Sequence, residues 1–171
     1  MAGLYIHIPF CESRCIYCGF YSTTSLSLRD DYVGALCREM RLRPTTLALG
    51  SEEAIQTIYL GGGTPSQLNR QQLRRLFSAI QANYDVAQAE DTNKPEIEIT
   101  MECNPDDVTE EFCETLRLLP VNRISMGAQT FSDERLRFLH RRHHAADVRH
   151  AIERLRAIGI KNISIDLMFG F

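Results

Sequence analysis

Short β-branched runs alternate with amphipathic helical patterns along the whole of this chain, and that alternation leaves few folds open. Leu4 to Pro9, Ile55 to Leu60, Glu96 to Met101, Arg123 to Ala128 and Asn162 to Met168 read as strands, rich in Ile and bounded by Gly, Pro or Asn. Between them, residues 28–43 place Leu28, Tyr32, Leu36 and Met40 on one stripe ahead of Pro44. Residues 70–82 carry Leu73, Leu76, Phe77 and Ile80 behind an Asn69 cap. Thr109 caps a helix with Phe112 and Leu116, and a helical turn from Ser132 precedes a longer helix with Val148, Ile152 and Leu155, closed by Gly159. The polar segments 44–54 and 85–95 read as surface loops.

Strand, helix, strand through five strands implies a parallel sheet with right-handed crossovers. An open doubly wound sheet and part of a barrel both satisfy that pattern. The special residues favour the barrel: Cys11 to Cys18, Gly61 to Pro65, Glu102 to Pro105, Gln129 and Asp166 all fall at or just past the C-terminal end of a strand. That rim is where parallel α/β folds build their sites. The last strand runs to the end of the sequence with no helix after it, so the expectation is a piece of a longer protein.

On the first rim loop, Cys11, Cys15 and Cys18 stand at Cys-x3-Cys-x2-Cys spacing directly after a strand. Three thiolates so spaced can hold three corners of a 4Fe-4S cube and leave one iron open to a ligand. The alternatives are part of a zinc site completed by His7 or a distant residue, or a chance cluster of thiols. Without a charged leader or apolar h-region at Met1, the expected location is the cytoplasm, where thiols stay reduced.

The other rim residues admit two interpretations each. Gly61, Gly62 and Gly63, followed by Thr64 and Pro65, let backbone approach a ligand and offer it N–H and C=O groups, or else make a tight turn. Glu102, Gln129 and Asp166 suit ribose hydroxyls, with a solvated rim as the plain alternative. In His140-Arg-Arg-His-His144 one guanidinium could clamp a carboxylate, and periodicity does not choose between Arg141 and Arg142. Tyr5 and His7 share one face of the first strand, either the barrel interior or the helix layer. Cys37 and Cys113 read as small buried hydrophobes, and His143 and His144 as surface histidines.

A chain of 171 residues, 44% hydrophobic and 24% charged, suits one globular domain with a real core. A formal net charge of −3, with basic residues spread along helices, gives no electrostatic case for nucleic acid. No apolar run approaches the ~20 residues of a membrane span.

Taken together, His7-Ile-Pro-Phe-Cys11-x3-Cys15-Ile-Tyr-Cys18, Tyr59-Leu-Gly-Gly-Gly-Thr-Pro65, Glu102-Cys-Asn-Pro105, Arg123-Ile-Ser-Met-Gly-Ala-Gln-Thr-Phe131 and Asp166-Leu-Met-Phe-Gly170 resemble the radical S-adenosylmethionine superfamily. The nearest branch holds the coproporphyrinogen III dehydrogenases (HemN) and the related HemW-type heme chaperones, and the likeness covers essentially the whole chain. It implies an incomplete parallel (β/α)6 barrel, with about five βα units present and residues 1–171 forming the N-terminal part of a radical-SAM core domain. It also implies a 4Fe-4S cluster on Cys11, Cys15 and Cys18, with its open iron chelating S-adenosyl-L-methionine. By the same resemblance the backbone of Gly61 to Gly63, with Thr64 beside it, meets the methionyl amino group, and Arg141 takes the carboxylate. Glu102, Gln129 and Asp166 fall among ribose and methionyl contacts, and Tyr5 lies beside cluster and cofactor. An electron delivered through the cluster would cleave the sulfonium C–S bond to a 5′-deoxyadenosyl radical.

The dehydrogenases continue their motif to a fourth cysteine two residues on, where this chain has Phe20. That departure resembles the chaperone type and implies a protein that binds and delivers heme. Its expected partners are heme or a porphyrinogen, an electron donor and a heme-recipient protein. Oxidative decarboxylation of coproporphyrinogen III is the alternative.

Overall fold

The computed structural model describes residues 2–43, 54–86 and 97–170. Most of the two expected polar loops, and Pro44, lie outside them. Five strands form one sheet in the order of the chain: β1 (Ala2–Ile8), β2 (Ile55–Gly62), β3 (Glu98–Cys103), β4 (Arg123–Gln129) and β5 (Asn162–Leu167). Every neighbouring pair is parallel. The crossovers carry α1 (Arg29–Leu42), α2 (Arg70–Asn83), α3 (Glu110–Leu116), α4 (Asp133–Phe138) and α5 (Ala145–Ala157).

Side-chain alternation across the paired strands decides between the two architectures. One face carries the row Ile6, Leu60, Met101, Ile124 and Ile163 in direct register, packed with Val33, Leu73, Leu76, Phe112 and Val148 from the helices. The opposite face carries Tyr5, Tyr59, Thr100 and Arg123 in register, with Glu102 beside Ser125 and Gly127 beside Asp166. A doubly wound sheet, covered by helices on both faces, would be apolar on both. Here only one face is apolar, so the polar face is the lining of a barrel that the five strands leave incomplete. Tyr5 and His7 therefore face the barrel interior.

The helices start where the sequence places their caps. The Asn69 side chain accepts from the Gln72 N–H at 2.9 Å, and the Asn69 N–H in turn donates to Gln72 Oε1. The Thr109 and Ser132 side chains accept from the Phe112 and Arg135 N–H groups at the starts of α3 and α4. Gly159 follows α5 at φ +95°, a conformation that costs other residues more. The first helical stripe needs one correction. Leu28 sits in a 3-10 turn ahead of α1 and is exposed, because the change of pitch takes it off the helix face, while Met40 is buried as expected and Val33 joins it in the core. Among the described residues no helix is long and apolar enough to cross a membrane.

Candidate functional site

The cysteine loop is tied down at both ends. Thr23 donates its N–H to Pro9 O at 2.8 Å and Cys11 donates to Thr23 O at 3.0 Å, closing the loop on itself. Gly63 N–H to Ile8 O and Thr64 N–H to Phe10 O, both 2.8 Å, extend the β1–β2 ladder to the residue before Cys11. Farther along the loop, Ile16 N–H reaches Leu139 O at 3.4 Å. All three cysteines front one cleft of about 360 Å³ at the C-terminal rim. Gly62, Gly63, Thr64, Glu102, Gln129, Arg141 and Asp166 line the same cleft, whereas Gly61 and Tyr5 do not.

Gly61, Gly62 and Gly63 differ from expectation in what they offer. The Gly62 N–H donates to Glu102 Oε2 at 3.0 Å and the Gly63 N–H is in the ladder, so neither is free for a ligand. Their lack of side chains serves the protein's own packing. A Cβ on Gly63 would lie 2.7 Å from Pro9 C and 2.8 Å from Ile8 O, and one on Gly62, at φ +111°, would strike the His7 ring.

Glu102 is already engaged by its neighbours, since Tyr59 donates its hydroxyl to Oε1 at 2.7 Å. Burial, reinforced by that bond to Glu102, pushes the Tyr59 hydroxyl up. Gln129 sits at φ +63° where the β4–β5 register shifts, which turns it onto the rim. Asp166 is exposed at the edge of the cleft. Tyr5 stacks on Tyr59 at 6.0 Å between centroids and meets His7 Nδ1 at 3.2 Å, one layer below the cleft.

The two adjacent arginines both line the cleft but bond to different partners. Arg141 turns into the cleft, donating to Asn104 Oδ1 and Gly127 O at 2.6 Å each, with another N–H 3.5 Å from Cys15 Sγ. Its Nε is buried without a partner. Arg142 knots Glu12 of the cysteine loop to Asp106 at 2.8 Å and Asp107 at 2.7 Å. Sequence reasoning passed over Tyr17, Tyr59, Asn104, Ser125 and Gly127, which also line the cleft. Tyr59 and Ser125 were findable by parity, since each is two residues before a rim glycine on the same strand. Burial pushes the Tyr17 hydroxyl up to about 12, against the pull of the Arg141 charge.

His143 is 2% exposed, a correction to its expected place on the surface. The tight turn through His140, at φ +58°, sends it inward, where Nε2 meets Ala128 O at 3.2 Å. Burial and then the Arg141 charge push His143 down to about 4. The neutral ring is thus the folded form, and the unfolded chain binds the extra proton between pH 6.5 and about 4. Stability from this residue is fully present above that window and is lost as pH falls through it. His143→Gln, which keeps a donor to Ala128, is expected to remove about 2 kcal/mol of the stability lost between pH 7 and pH 4.5. Urea unfolding of both proteins at the two pH values measures it. Cys113 is buried as expected, while Cys37 is only half-buried and reaches Arg75 O at 3.9 Å.

The donor set fits an iron–sulfur cluster. Burial raises the Cys11 thiol, and the neighbouring Cys18 and Cys15 raise it further, while the Thr64 hydroxyl pulls it down. Three sulfurs crowded on one loop suit a cationic centre, which would hold each of them as a thiolate. Among the described residues no group of three or more His, Cys, Asp or Glu converges on a single-ion point. Cube ligands sit on separate irons and need no such convergence.

The radical SAM superfamily model matches residues 5–171. The chain belongs to the radical SAM superfamily. Within it, the chain is 42% identical to the heme chaperone HemW of Bacillus subtilis, over 99% of this chain and 43% of that protein. It is 32% identical to the oxygen-independent coproporphyrinogen III oxidase of Bradyrhizobium diazoefficiens, over 99% of this chain and 36% of that one. The solved structure of coproporphyrinogen III oxidase (HemN) from Escherichia coli, a radical SAM enzyme, superposes with a TM-score of 0.85 at 30% identity, covering 99% of this chain and 37% of that one. This radical SAM chain thus spans less than half the length of these relatives. The superposition agrees with the incomplete barrel read from the strand faces.

Proposed function

We propose that residues 1–171 are the N-terminal part of the radical-SAM core of a HemW-like heme chaperone, a cytoplasmic protein that binds heme and delivers it to a recipient. The observation that carries this is the three-cysteine loop on the cleft, with Phe20 and not a fourth cysteine two residues after Cys18. The higher identity to a heme chaperone than to the coproporphyrinogen oxidase supports the same choice. All six cysteines are free thiols, which suits a reducing compartment.

When bound, the cluster and S-adenosyl-L-methionine supply reductive cleavage of a sulfonium bond, with the electron coming from a donor protein. The chain's own residues bind and orient. Cys11, Cys15 and Cys18 hold three irons. By the family likeness the Gly61 to Gly63 run meets the methionyl ammonium, and the carbonyls of Gly62 and Gly63, which line the cleft, are the groups that would accept from it, since their N–H groups are used within the protein. Arg141, anchored on Asn104 and Gly127, presents a fixed cation to the carboxylate. Glu102, Gln129 and Asp166 accept from ribose and methionyl groups, and Tyr5 closes the floor under the site through Tyr59.

The experiment uses the native-length protein, reconstituted anaerobically. The expected result is a stable heme complex that passes heme to an acceptor apoprotein, with no vinyl product from coproporphyrinogen. Stoichiometric methionine and 5′-deoxyadenosine released in step with vinyl formation would establish the oxidase instead.

A further inference from the structure

Resting on the cluster site proposed above, we infer that Thr64 is a positioning residue for the cluster, whose hydroxyl donates a directed hydrogen bond to the Cys11 sulfur and so sets the cluster's reduction potential. This differs from a role in holding the organic cofactor. The Thr64 hydroxyl lies 3.4 Å from Cys11 Sγ. Distance alone does not orient its proton, but its neighbours do. Arg141 donates to Asn104 Oδ1 at 2.6 Å, and a cation fixes which end of that amide faces it. The Asn104 NH2 end is thereby turned to Thr64, 3.5 Å away. A hydroxyl receiving an N–H on one side directs its own proton elsewhere, and the acceptor it faces is the sulfur. The run Arg141, Asn104, Thr64, Cys11 is polarised in one direction from the guanidinium to the thiolate.

The backbone holds the same contact from below. Thr64 N–H donates to Phe10 O at 2.8 Å, and Phe10 precedes Cys11, so hydroxyl and sulfur share one rigid ladder. Thr64 is 5% exposed, which keeps water from replacing the bond. Hydrogen bonds to ligand sulfurs stabilise the more negative, reduced cluster and raise its potential.

Thr64→Val removes the hydroxyl at nearly constant shape, and Thr64→Ser keeps it. In the native-length, reconstituted protein, Thr64→Val is expected to lower the reduced-to-oxidised ratio about fivefold at fixed potential. That is a downward shift of about 40 mV at 59 mV per decade for one electron. Thr64→Ser is expected to stay close to wild type. Pulsed electron paramagnetic resonance of the reduced cluster in D2O should also lose one exchangeable-proton coupling in the valine variant alone. If Thr64→Val does not hold a cluster, Thr64→Ala takes its place in both measurements. An unchanged potential in the variant lacking the hydroxyl overturns the inference, as does a wild-type spectrum with no exchangeable coupling that depends on Thr64. Wild-type protein that assembles no cube sinks the underlying site, a different result from a cube indifferent to Thr64.

Discussion

Gly63→Ala is expected to destabilise the protein by about 3 kcal/mol or more and to leave it unable to retain iron, the combined mark of overpacking against atoms that cannot move. The new methyl would sit 2.7 Å from Pro9 C, 2.8 Å from Ile8 O and 2.9 Å from Pro9 O, all backbone. Relief requires β1 and β2 to part at the point where the ladder hands over to Cys11, breaking the bonds from Gly63 to Ile8 and from Thr64 to Phe10. Gly61→Ala provides the contrast. Its methyl meets Tyr59 Cε1 at 2.6 Å and Glu102 at 3.0 Å, side chains that can rotate, so a smaller stability loss is expected. Denaturant titration with iron and sulfide analysis of both variants measures the pair. Equal stability losses would mean that the strand ends are looser than the ladder implies.

The same residues show what a sequence does and does not carry. Periodicity located every strand and the buried faces of α2 and α5, because core packing repeats the local pattern at 2 or 3.6 residues. Rim position picked out the cysteine loop, the glycines and Asp166, because βα loops open at one end of the sheet. What was not legible came from contacts between distant segments. The glycine run reads as either a binding loop or a tight turn, yet what it accommodates is His7 and the Pro9 backbone, some 50 residues away in the chain. His143 reads as surface beside four other basic residues, and the reversed turn at His140 buries it. Asn104 lay within a recognised motif but gained its role from Arg141, which is 37 residues distant.

Arg141 and Arg142, neighbours that periodicity left equivalent, should separate completely by experiment. Arg141→Lys keeps a charge but loses the planar fork that holds Asn104 and Gly127 while facing the cleft. Loss of one charge-assisted contact predicts S-adenosylmethionine binding weakened about 10- to 100-fold, with little change in unfolding free energy. Arg142→Leu does the reverse. It leaves Asp106 and Asp107, whose side chains are only 24% and 10% exposed, without their ion-pair partner, and it frees Glu12 of the cysteine loop from its contact with Arg142. A stability loss of about 3 kcal/mol follows from stranding half-buried carboxylates. The two arginines share no hydrogen-bond or ion-pair partner, although the Arg141 charge also acts on Asp106 and Asp107, and Arg142→Leu should change cofactor affinity less than about threefold. Isothermal titration with S-adenosylmethionine and urea unfolding, applied to both variants, fill all four cells of the comparison. If Arg142→Leu weakened binding as much as Arg141→Lys, the carboxylate clamp would belong to the pair and not to Arg141 alone.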